Sequence, residues 1–233
     1  MNAHRQRGPA RDPEPANPPE PMSDTLQQTP DDVFRTAVVF EAALGGLAML
    51  LGWLLGPDPR TLLPELTVAD LRPLGEGLLY GALAAVPLLV AVEVLRRLPW
   101  EPVRELERLS DDGMVSLLLR LSPTELVVIS VCAGVGEELL FRGWMMPWMA
   151  GGHDTGWSVT TVAGLIGSSI AFGLVHPITK LYVVVASLMG VYFGLLVLVT
   201  GNLLIAVVAH AVYDAVQLIL TARRERDPEP SAG

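Results

Sequence analysis

From Val33 onward the chain alternates long apolar runs with short polar breaks. A helix that crosses a bilayer needs about 20 apolar residues at a rise of about 1.5 Å each. Six segments reach that length: 33–55, 74–95, 125–147, 157–175, 178–199 and 202–221. The fifth and sixth are nearly free of charge, and the first two carry Glu41, Glu76 and Glu93. The pattern predicts an all-α, polytopic membrane bundle of about six transmembrane helices. Residues 99–123 read differently. Val103, Leu106 and Leu109 alternate there with Arg104, Glu105, Glu107 and Arg108 at helical spacing. That is an amphipathic segment along the cytoplasmic interface, or else a solvent-exposed connector.

The first thirty residues hold seven prolines, many charges and almost no large apolar side chains. Such a stretch buries too little surface to offset its ordering entropy, so a disordered tail is expected over 1–32. It lacks the basic start, apolar run and cleavage site of a secretory signal, and Met22 is an alternative start. The expected organisation is therefore a tail (1–32), two N-terminal spans with the amphipathic connector (33–123), a four-span core (124–221) and a C-terminal tail (222–233).

Composition agrees with a bilayer. Of 233 residues 51% are hydrophobic, mean hydropathy is +0.43, and only 18% are charged, against about 25% in soluble domains. A net charge of −9 speaks against a nucleic-acid partner, which calls for clustered Lys and Arg. The single cysteine, Cys132, excludes an intrachain disulfide framework and a CxxC zinc site. With the N-terminus inside, thirteen of the sixteen Lys and Arg fall on the cytoplasmic side. Only Arg60 and Arg72 fall outside, which predicts cytoplasmic N- and C-termini. Trp53, Trp148 and Trp157 then sit at outer helix ends, where aromatic rings favour the interface.

Few polar groups remain at membrane depth in the second half: Glu137, Glu138, Arg142, His176, His210 and Asp214. An ionisable group at a helix centre costs about 2.5–3.5 kcal/mol on insertion, so it is kept where it has partners or a function. Glu138 and Arg142 are four apart and can pair on one helix face. Glu137 points about 100° away and has no local cation. His176 ends the fourth span before Pro177, with Phe172 one turn earlier as a pocket wall. His210 and Asp214 are again four apart. A free carboxylate beside an imidazole is a candidate general base for water, and a second His can donate to an oxyanion. HExxH, GxGD and GxSxG motifs are absent, and Gly167–Ser168–Ser169 reads as helix packing. The structural alternative is that the buried pairs only fix helix register. Glu41, Glu76 and Glu93 read as structural or cavity-lining residues.

Three stretches resemble one family. GEELLFRG at 136–143 is similar to the EExxxR motif of the CPBP family, the CAAX proteases and bacteriocin-processing enzymes. FGLVH at 172–176 is similar to its FxxxH motif, and HAVYD at 210–214 to its HxxxN or HxxxD motif. The resemblance covers roughly residues 120–220. It implies an intramembrane glutamate endopeptidase in which Glu137 activates water with the help of His176. His210 and residue 214 would stabilise the oxyanion, and Glu138 and Arg142 would form a supporting ion pair. The eukaryotic CAAX enzymes carry Asn where this chain has Asp214. An ionised Asp repels an oxyanion, so Asp214 either carries a proton or orients His210. No cofactor is required by this scheme, although two His and a carboxylate leave a divalent metal such as zinc open. The implied partners are a peptide or membrane-protein substrate and the lipid of a bacterial-type cytoplasmic membrane. Competing functions are a non-catalytic protein of the same fold (bacteriocin immunity or scaffold) and a small transporter or proton relay.

Overall fold

The computed structural model describes residues 29–65, 67–68, 71–108, 113–153 and 156–226. Among these residues every regular element is a helix. Thr29 opens α1 (Pro30–Leu55) through a reciprocal capping box with Asp32, and Pro30 takes the first turn, where its missing N–H costs nothing. The helix thus begins three residues before the expected 33, and the rest of the expected tail, residues 1–28, lies outside the described residues. Ser122, Pro123 and Glu125 repeat the same device at the start of α5.

Among the described residues four helices are long and apolar enough to cross a membrane by length and composition. They are α1, α2 (Leu71–Arg96), α8 (Lys180–Thr200) and α9 (Leu203–Arg226). α9 continues five residues into the stretch expected as a C-terminal tail; residues 227–233 are outside the described set. The connector holds two short helices, α3 (Glu101–Arg108) and α4 (Gly113–Leu119). Val103 is buried, and Leu119 and Leu121 pack with Leu126, Ile129 and Ala222, so the described part of the connector lies against the bundle. Leu109 is outside the described residues.

The third expected span is one unbroken helical run of uneven pitch. α5 (Pro123–Glu138) passes into a π-helical segment (Leu139–Met145) and then α6 (Met146–Ala150). The uniform helix expected over 125–147 is corrected in this respect: the turn that carries Arg142 is widened, a device frequent at functional sites. α7 (Val159–Leu174) is shorter than a usual span, at 16 residues.

The bundle is apolar outside, and a few polar groups are enclosed in its apolar interior. Val39, Phe40 and Trp53 on α1 and Leu78, Leu79 and Leu83 on α2 are exposed, whereas Ser130, Glu138, Arg142, Ser168 and Ser169 are buried. Lipid tails satisfy the first group, and only partners inside the bundle satisfy the second. α5 lies between α1 and α9. A side chain at Gly136 would collide with the carbonyl oxygen of Glu41 on α1, and one at Gly134 would come 2.7 Å from the carbonyl oxygen of Val207 on α9. Gly136→Val is accordingly expected to force α1 away and cost about 1–3 kcal/mol as overpacking. A lowered thermal midpoint of the purified protein in detergent checks this.

The loop after α1 clamps the π segment. Trp144 donates its indole N–H to the carbonyl of Gly56 at 3.1 Å, and the fully buried Pro59 lies over Gly143. Asp58 braces the loop by accepting from the side chain and backbone N–H of Arg60, and these bonds hold its carboxyl down to about 2.

Candidate active site

Two helices and the end of a third meet at a single point. α5 ends on Glu137 and Glu138, α7 is followed by His176, and α9 supplies His210 and Asp214. Glu137, Glu138, Arg142 and His210 are all buried. The carboxylate of Glu137 stands between two imidazoles: Oε1 lies 3.6 Å from His176 Nε2, and Oε2 lies 3.9 Å from His210 Nε2. Both gaps exceed a direct hydrogen bond.

The ring orientations follow from their outer contacts. His176 Nδ1 is 2.7 Å from the carbonyl oxygen of Phe172, which only accepts, so Nδ1 carries the hydrogen. In the neutral ring Nε2 is then an acceptor facing Glu137. His210 Nδ1 is 2.9 Å from Glu138 Oε1, and its Nε2 is 3.3 Å from Asp214 Oδ2. The imidazole is held at both nitrogens by carboxyl groups from α5 and from its own helix.

Glu138 does more than the ion pair expected for it. Arg142 Nη1 donates to Glu138 Oε1 at 2.7 Å, and that oxygen also takes the contact from His210. The π segment keeps the guanidinium under the site, where it lies 4.3 Å from the ring centroid of Phe172, 5.5 Å from Phe193 and 5.9 Å from Phe141. Aromatic faces of this kind attract a desolvated cation. Its Nε and Nη2 have no hydrogen-bond partner, so these rings are the surroundings that remain. Phe172 therefore both cages Arg142 and walls the two histidines, at 4.9 Å from His176 and 5.9 Å from His210.

A cavity of about 80 Å³ adjoins these groups, lined by Glu137, Phe172, His176, Tyr182, His210, Tyr213 and Asp214, among others. That is room for water beside the carboxylate. Among the described residues no three His, Cys, Asp or Glu side chains are grouped to hold a metal ion.

Three contributors escaped the sequence. Phe193 stacks on His210, with centroids 5.0 Å apart and planes 15° from parallel. Tyr182 and Tyr213 line the cavity, although an aromatic near a span end fits a lipid boundary equally well. Glu41 of α1, expected as a structural or cavity-lining acid, is within electrostatic range of Glu137, His176, His210 and Asp214. Glu76 and Glu93 behave as expected of structural acids, the first paired with Arg72 and the second with Arg97 and Arg224 at the surface. Ser168 and Ser169 donate to the carbonyl of Leu165, as packing serines do.

Residues 120–216 match the family described as Type II CAAX prenyl endopeptidase Rce1-like. No curated protein and no solved structure matches the chain.

Proposed function

Residues 120–216 are an Rce1-like domain of the CPBP and CAAX protease family, and from that premise we propose that this membrane protein is an intramembrane endopeptidase driven by a glutamate-activated water. The observation that carries the reading is the position of Glu137. Its carboxylate is buried, committed to no cation on its own helix, flanked by two imidazoles and open to a cavity of about 80 Å³.

In the proposed reaction Glu137 takes a proton from water, with His176 Nε2 as the second acceptor that holds the water in place. The hydroxide oxygen adds to the peptide carbonyl carbon. The N–H of His210 at Nε2, which rests against Asp214, turns to the new oxyanion. Glu137 then returns the proton to the departing amine nitrogen as the C–N bond breaks. Glu138 and Arg142 make no contact with the substrate; they fix His210 and fill the charge balance beneath it. Asp214 orients the imidazole and does not itself donate.

The substrate of the proposed reaction is a peptide or membrane protein entering from the end of the bundle where His176 and Tyr182 lie, and the distribution of bases supports reading that end as the cytoplasmic side. Nothing in the scheme requires a prenyl group or a metal ion. Comparison of membrane proteomes from cells making the wild type or Glu137→Ala is the test. An uncut precursor is expected to accumulate with the variant, and its cleavage by purified wild type is expected to persist in chelator. Identical proteomes would favour a binding or transport role, and chelator-sensitive cleavage would favour a metal.

A further inference from the structure

α1 lies wholly outside the segment that matches the family, yet it delivers a carboxyl group to the site. Gly136 sets the crossing of α1 over α5, because any side chain there would strike the carbonyl oxygen of Glu41. The next residue is Glu137, so this contact brings two glutamates of neighbouring helices to the same level of the bundle. Oε2 of Glu41 is buried with no hydrogen-bond partner, and so is Oε2 of Glu137. The Glu41 carboxyl interacts electrostatically with Glu137 on α5, His176 after α7, and His210 and Asp214 on α9. α4, which also packs on α1, brings no titratable group, and Arg142 of the π segment is bound to Glu138. Two carboxyl groups in a poorly solvated site repel when both are ionised, so the protonation of one depends on the other.

Resting on the hydrolytic reading above, we propose that Glu41 is a positioning residue which acts on Glu137 through its charge, so that the two acids titrate as a coupled pair. α1 is then part of the machinery that readies the base, beyond its part in holding the bundle together.

The test is the pH profile of kcat/KM for wild type, Glu41→Gln and Glu41→Asp. The wild-type profile is expected to carry two inflections, one for each ionisation of the coupled pair, and the Gln variant only one. The Asp variant, which keeps a titrating carboxyl, is expected to restore the second inflection, an outcome that a purely structural role does not give. Coincident profiles for wild type and Glu41→Gln overturn the proposal. A second measurement needs no turnover: infrared titration of the protonated carboxyl band in purified wild type, Glu41→Gln and Glu137→Gln. Coupling is expected to show as a wild-type titration that differs from the sum of the two single contributions. A strictly additive spectrum overturns the pairing whether or not the protein cleaves anything. A coupled spectrum in a protein that cleaves nothing would instead count against the hydrolytic reading and leave the pair standing.

Discussion

Glu138→Ala is expected to lower stability by about 3–5 kcal/mol, enough that little folded protein accumulates in the membrane. The reason is the charge left behind. Arg142 has no exposed surface, its bond to Glu138 is 2.7 Å long, and two of its three nitrogens have no hydrogen-bond partner. Its remaining neighbours are the faces of Phe172, Phe193 and Phe141, which attract a desolvated cation by about 2 kcal/mol each but carry no net negative charge. They do not replace a carboxylate. Truncation also frees His210 Nδ1 from the contact that orients its ring. Arg142→Lys is no substitute, since an ammonium cannot spread against three rings as a planar guanidinium does. Removing both charges is a different experiment: Glu138→Leu with Arg142→Met is expected to recover most of the thermal midpoint, because no unpaired charge stays buried. That double variant is expected to remain inactive, since His210 has lost its support. A Glu138→Ala protein as stable as the wild type would show that the pair does not hold the core together.

His210→Ala is expected to reduce kcat/KM by about 10²–10³, the usual cost of removing an oxyanion donor, whereas Asp214→Asn stays within about tenfold. The difference follows from what each side chain can do. In the proposed reaction His210 is the donor to the oxyanion, its Nε2 3.9 Å from the Glu137 carboxylate. Asp214, 3.3 Å from the same nitrogen, is partly exposed at the cavity wall and acts on the ring. An amide in its place still hydrogen-bonds the imidazole. Single-turnover cleavage of the precursor identified with Glu137→Ala separates the two variants. Activity retained in His210→Ala would remove this residue from the oxyanion role, and an inactive Asp214→Asn would make the carboxylate more than an orienting group.

Much of this was legible in the residues because polar groups are costly inside a membrane. Glu137, Glu138, Arg142, His176, His210 and Asp214 stood out against apolar surroundings, and the structure brings all six to one place. Spacing of four correctly paired Glu138 with Arg142 and His210 with Asp214, since both pairs lie within one helical run. What stayed hidden is long-range. The contact between His210 and Glu138 joins residues 72 positions apart. Phe193 stacks on His210 from a different helix, and nothing in the local pattern separates it from an ordinary core phenylalanine. Glu41 looked like an acid near a span end, and only the crossing at Gly136 turns it toward the site. The π segment was equally invisible: Leu139–Met145 has the composition of any buried helix.

That widened turn makes the number of residues between Glu138 and Pro147 as constrained as their identity. Each residue swings the helix by about 100°. One amino acid gained or lost here would therefore turn the guanidinium out of its aromatic cage and pull Gly143 and Trp144 off the loop that fastens them, with no side chain altered. Relatives that keep this geometry should tolerate exchange along the segment far better than a change in its length.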